Sequence, residues 1–175
     1  MESSELARFE AAVLPHLDAA YTLARYLTRN EQDAEDIVQD ACLRALTYFD
    51  SFRGEGATSA RAWLFAIVRN TAYSWRRRHR ADRLATEFDE REHSDAVADD
   101  HPEGMLLRSS AKEALGRALS GLAPEFREAI VLRELEGLSY KEIGEVAGVP
   151  VGTVMSRLSR ARARLQAALR NEEGS

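Results

Sequence analysis

The sequence predicts an all-α protein of two small helical domains joined by a flexible acidic linker. Apolar residues recur at spacings of three and four through both halves of the chain, and nothing in the first half reads as strand. That pattern lapses over residues 84–105, where Thr86 to Glu103 holds eight acids against one arginine. Such a composition cannot bury enough apolar surface to order itself and suits a solvated linker. The helical units are therefore expected over 6–83 and 106–171, a reasonable division for 175 residues.

A first helix is expected from about Leu6 to Thr28, because Leu6, Phe9, Val13, Leu17, Tyr21 and Ala24 share one helical face. Pro15 is expected to kink or divide it, since proline breaks a hydrogen bond inside a helix. Asp33 is placed to cap a second helix, with Asp36 three residues on in a capping-box-like relation. That helix turns Ile37, Val38, Ala41, Cys42, Ala45 and Phe49 inward. A glycine-containing break from Phe52 to Ser59 precedes a third helix, from about Ala60 to Arg80. In the second unit one helix ends before Gly121 and another runs from Pro124 to Glu136. Residues 139–169 then read as a short helix, a glycine turn and a longer helix.

This last stretch carries the clearest functional pattern. Val154, Leu158, Ala161, Leu165 and Leu169 form one apolar seam, Gly148 supplies the freedom a tight turn needs, and Pro150 suits a helix start. From Pro150 to Asn171 there are five arginines and no acid. An ordinary solvated face would more often mix Glu with Lys. Thr153, Ser156, Arg157, Ser159 and Arg160 are short or fork-shaped donors of the kind that reach base edges and phosphates. The segment is read as a helix-turn-helix whose second helix lies in a DNA major groove.

The third helix combines Trp63, Phe65, Tyr73 and Trp75 with the run Arg76 to Arg78. Aromatics beside cations suit single-stranded DNA, where rings stack on unpaired bases and arginines hold the backbone. Trp63, Leu64 and Ile67 are assigned to the core, whereas Asn70, Tyr73 and Arg76 to Arg78 are assigned to nucleic acid. Asp33, Asp36 and Asp40, with Gln39 and Arg44 nearby, make an acidic stripe on the second helix. Such a face avoids phosphate and suits a protein partner.

Composition narrows the remaining classes. A mix of 45% hydrophobic and 30% charged residues is that of a globular protein. The net charge of −5 conceals strong segregation, with Arg69, Arg76, Arg77, Arg78, Arg80 and Arg83 in one basic block. The local field, rather than the sum, governs binding. Cys42 is the only cysteine, so neither an internal disulfide nor a Cys-based zinc site is available. The four histidines show no ligand spacing, and no metal or other cofactor is expected. No Gly-rich phosphate loop or nucleophile–base pattern appears, so no catalytic residue, enzyme activity or small-molecule substrate is expected. The longest apolar run, Ala62 to Val68, is too short to span a bilayer, and no signal peptide is seen. A cytoplasmic location is expected.

Three segments together resemble the extracytoplasmic-function group of bacterial sigma-seventy-type RNA polymerase sigma factors. They are DAEDIVQDACLRAL (33–46), FRGEG…ARAWLFAIVRNTAYSWRRR (52–78) and LSYKEIGEVAGVPVGTVMSRLSRARARL (138–165), in the family's order. The resemblance implies that the units are sigma domains two and four, held by core RNA polymerase. It implies contact with the β′ clamp through Asp33, Asp36, Gln39, Asp40 and Arg44, and contact with the β flap. Melting and reading of the minus-ten element fall to Arg53, Ser59, Arg61, Asn70, Tyr73, Arg76 and Arg77. Duplex reading of the minus-thirty-five element falls to Thr153, Met155, Ser156, Arg157, Ser159 and Arg160. It also implies an anti-sigma protein as partner. The alternatives are a stand-alone helix-turn-helix regulator, or a sigma-like decoy that binds an anti-sigma protein.

Overall fold

The structure is a computed structural model and describes residues 2–52, 57–85 and 106–174. Arg53 and most of the expected linker, from residue 86 onward, lie outside the described residues. Among those described, every regular element is helical.

The first expected helix is two. Helix α1 (Ser3–Val13) is followed by a single 3₁₀ turn, Leu14–His16, and then α2 (Leu17–Thr28). Pro15 sits inside that turn and divides the helices as its missing N–H requires. Helix α3 (Glu31–Tyr48) starts earlier than expected. Its cap is Asn30, whose side chain accepts from the Asp33 backbone N–H at 2.9 Å. Asp33 therefore lies inside the first turn and is not the cap. The preceding Arg29 adopts a left-handed conformation with φ 59°, which ends α2 and hands the capping position to Asn30.

Helix α4 (Ala57–Ala85) is longer at both ends than its apolar pattern suggested. Phe49 stacks on Phe52 and meets Phe9 edge-on, while the Phe52 and Trp63 rings lie 4.8 Å apart. This aromatic cluster fixes both sides of the 53–56 segment. Ile37, Ala41 and Ala45 of α3 are fully buried with Leu64, Phe65 and Val68 of α4, and Trp63 and Ile67 pack against them. The core assignment of Trp63, Leu64 and Ile67 holds.

The second unit contains α5 (Leu106–Ser120), α6 (Pro124–Ile130), α7 (Tyr140–Ala147) and α8 (Val151–Glu173). Helix α6 continues into a wider π turn over Val131–Leu135, so the Glu136 N–H reaches back to the Val131 carbonyl at 3.1 Å. Val131, Leu132, Leu138, Ile143, Val154 and Leu158 close this core.

The two units do not stand apart. Helix α4 packs against α7 and α2 against α6, and their buried residues merge into one continuous cluster. The linker composition had suggested independent modules whose separation was unset. Polar contacts fasten the interface. The buried Arg127 guanidinium donates to the Leu119, Ser120 and Leu122 carbonyls of its own unit and to the Tyr26 and Leu27 carbonyls at the end of α2. Arg29 returns a bond to the Ser120 carbonyl at 3.2 Å. Both arginines thus satisfy carbonyls that helix ends leave without partners.

Candidate nucleic-acid and partner interfaces

The helix-turn-helix is set by local chemistry. Ser139 and Glu142 form a reciprocal capping box that starts α7, and Gly148 at φ 70° ends it. At Gly144 an added Cβ would stand 2.8 Å from the Val149 carbonyl oxygen, so only glycine lets the turn lie this close. Pro150 proves to be the N-cap of α8 in extended conformation, with Val151 the first helical residue. Val154, Leu158 and Ala161 are buried, and Leu165 and Leu169 are half-buried, so the expected seam faces inward.

Opposite that seam, Met155, Ser156, Ser159 and Arg160 are exposed, while Thr153 and Arg157 are half-buried. Thr153, Ser156, Arg157 and Arg160 line an open cleft of about 440 Å³ whose other wall is Glu125 and Phe126 of α6. All six expected reading residues therefore share one end of α8. The remaining arginines differ in use. Arg162 pairs with Glu134 at 2.9 Å, and Arg164 lies 4.6 Å over the Phe126 ring. These two brace α8, which leaves Arg157 and Arg160 beside the cleft.

On α4 the expected strand-binding residues separate into two sets. Asn70 and Arg77 are exposed, and Arg76 is half-buried beside Arg29 and Arg80, where burial foremost lowers its pKa. Arg61 and Tyr73 are instead engaged by the second unit. Arg61 donates to the Glu136 carbonyl at 3.1 Å and pairs with Glu142 at 3.6 Å. Arg69 donates to Glu128 Oε1 at 2.6 Å, and the Tyr73 hydroxyl donates to Glu128 Oε2 at 3.2 Å. The Arg69 guanidinium also lies 4.3 Å over the Tyr73 ring. Ser59 sits in the first turn of α4, with its side chain outside the described residues.

Glu128 is 1% exposed. Burial pushes its carboxyl pKa up, against the pull of Arg69, Tyr73 and the nearby Arg157. Burial, reinforced by the Glu128 charge, drives the Tyr73 phenol upward, so it remains a donor. Sequence reasoning missed Glu128 because an acid beside Arg127 in a charged helix gives no signal of its burial. Trp75 is half-buried and stacks on His79 at 4.1 Å, so its ring is already covered.

The third surface is the outer face of α3. Asp33, Asp36, Asp40 and Arg44 are half-buried and Gln39 is exposed. Asp40 pairs with Arg44 at 3.3 Å, and Gln32 donates to Asp36 at 3.1 Å. Leu43 at 64% and Tyr48 at 61% are the most exposed large apolar residues described, and both were missed. Leu43 had a legible signal, since it falls outside the inward set and lies three residues after Asp40 and four after Gln39. A polar stripe with an apolar centre is what a protein partner covers. Cys42, half-buried behind it, has its thiol pKa raised by burial and is poorly placed to react. Among the described residues no cluster of potential metal ligands occurs, and no helix is long and apolar enough to cross a membrane.

Comparison with known proteins gives a consistent result. The family model for Sigma-70 region 2 matches residues 12–82, and that for Sigma-70, region 4, matches residues 112–165. The ECF RNA polymerase sigma-E factor of Haemophilus influenzae is 39% identical over 146 residues, covering 80% of this chain and 75% of the relative. That of Escherichia coli K12 is 38% identical over 149 residues, covering 82% and 76%. Among solved structures, the sigma factor RpoE in complex with the anti-sigma factor NepR from Bartonella quintana superposes with a TM-score of 0.76 at 32% identity, covering 93% of this chain and 97% of that one. CnrH in complex with the cytosolic domain of CnrY gives 0.65 at 31% identity, covering 93% and 88%.

Proposed function

This chain belongs to the extracytoplasmic-function group of the sigma-70 family, and on that premise we propose how its surfaces divide the work of promoter recognition. It is a sigma factor: it binds core RNA polymerase and promoter DNA and directs promoter-specific initiation, with an anti-sigma protein among its partners. Bond-making belongs to polymerase, and the chain works beside it in the cytoplasm.

The outer face of α3, with Asp36, Gln39, Asp40 and Arg44 around the exposed Leu43, docks on the β′ clamp. The second unit rests on the β flap. The exposed end of α8 reads the minus-thirty-five duplex through Ser156, Arg157 and Arg160, with Thr153, Met155 and Ser159 completing the contact face. Helix α4 and the segment before it hold the parted minus-ten strand through Arg53, Ser59, Arg61, Asn70, Tyr73, Arg76 and Arg77. Capture of an unstacked base offsets part of the few kcal/mol that unstacking costs. Polymerase fixes the spacing of the two units, so the second DNA contact becomes effectively intramolecular.

The observation that carries this reading is the end of α8, where polar and cationic residues stand exposed over a fully buried seam. Run-off transcription with purified core polymerase on a promoter library tests it. The expected outcome is new start sites preceded by two recognition elements. No new start sites, together with tight binding of duplex operators by the chain alone, would favour the stand-alone regulator.

A further inference from the structure

The interface between the units is made of the same groups that the strand-binding face needs. Arg61 and Tyr73 are both expected minus-ten contacts, and both are bonded to the second unit, Arg61 to Glu142 and the Glu136 carbonyl, Tyr73 to Glu128. Arg69, between them on α4, is also held by Glu128. A carboxylate that accepts from an arginine and a tyrosine offers the same charge and acceptor geometry as a phosphate. A DNA strand and the second unit therefore compete for one set of donors. The exposed end of α8 is not used in this way: Ser156, Ser159 and Arg160 stay open to solvent.

The contact is also built to part. On separation Arg127 loses the Tyr26 and Leu27 carbonyls but keeps those of Leu119, Ser120 and Leu122 within its own unit. Glu142 keeps the Ser139 N–H, and Glu128 keeps the favourable field of Arg157. Each buried polar group thus retains a partner, so opening avoids the heavy penalty of an orphaned buried charge.

We propose that the closed arrangement is an intramolecular mask, in which Glu128 and Glu142 occupy the strand-binding face of α4 in place of phosphate. The free chain then binds single-stranded DNA weakly while its duplex-reading helix remains accessible. Holding the units apart on polymerase releases Arg61 and Tyr73 for the parted strand. The proposal rests on the sigma reading above but is tested without polymerase.

The test uses the full chain with Cys42→Ala and fluorophores at the exposed positions Ala11→Cys and Gln166→Cys, one on each unit. Inter-label distance and affinity for a labelled single-stranded oligonucleotide are compared with those of Glu128→Gln/Glu142→Gln. Glutamine at 142 can still complete the capping box. Apparent affinity scales with the fraction of open molecules, so the variant should gain about tenfold or more for the single strand and show longer distances. Duplex affinity of Glu142→Gln alone should not change. If Glu128→Gln fails to fold by circular dichroism, Arg29→Gln/Glu142→Gln loosens the interface without entering either core. A folded variant with unchanged distance and unchanged single-strand affinity overturns the mask. Variants that open and gain strand affinity, from a chain that never supports initiation, sustain the mask and overturn the sigma reading instead.

Discussion

Arg157 shows how one residue's chemistry is decided by what surrounds it. It is half-buried at the lip of the α8 cleft, with Glu125 across the opening and Glu128 behind. Those acids orient a guanidinium that would otherwise sample many rotamers, and its fork matches the paired acceptors of a guanine edge. Arg157→Ala should cost about 1–3 kcal/mol of minus-thirty-five binding and relax preference at one base pair, read by competition binding of the polymerase complex. At this scale the sequence was partly legible. Arginines at 157, 160, 162 and 164 looked equivalent, yet Arg162 and Arg164 brace α8 against Glu134 and Phe126. The neighbours that separate them lie on α6 and the π turn, far away in the chain.

At the scale of elements, the helix-turn-helix owes its angle to Gly144 and Gly148. An alanine at 144 would press its Cβ against the Val149 carbonyl, a backbone atom that cannot move without opening the turn. Gly144→Ala should lower stability by about 1–3 kcal/mol, visible as a reduced urea midpoint at unchanged slope. Most elements were legible because periodicity, prolines and caps are local signals. The helix seams at Ile37, Ala41 and Ala45, and at Val154, Leu158 and Ala161, lie buried as their spacing requires. The α3 cap was misread because Asn30 and Asp33 are both good capping residues. The left-handed turn at Arg29, which a sequence does not announce, chose between them. The π turn after α6 likewise carries no composition of its own.

For the whole molecule the question is which surfaces stay available while the units are closed. The α3 stripe around Leu43 remains exposed, so core polymerase can engage the closed chain first. Asp36→Arg should abolish co-purification with core polymerase while stability changes by about 0.5 kcal/mol or less, as for an ordinary surface substitution. Retention at normal yield would remove α3 from the docking surface.

By itself the sequence determined the helices, their inward faces, the segregation of charge and the three segments that mark the family. All of these rest on spacing between near neighbours, which chain order records directly. Only the tertiary structure decided that the units share one core, that Arg127 staples two helix ends, and that Glu128 takes the donors of Arg69 and Tyr73. Burial of a charge depends on what packs over it from a distant part of the chain. A carboxylate committed to an interface therefore reads, in sequence, the same as one left in water.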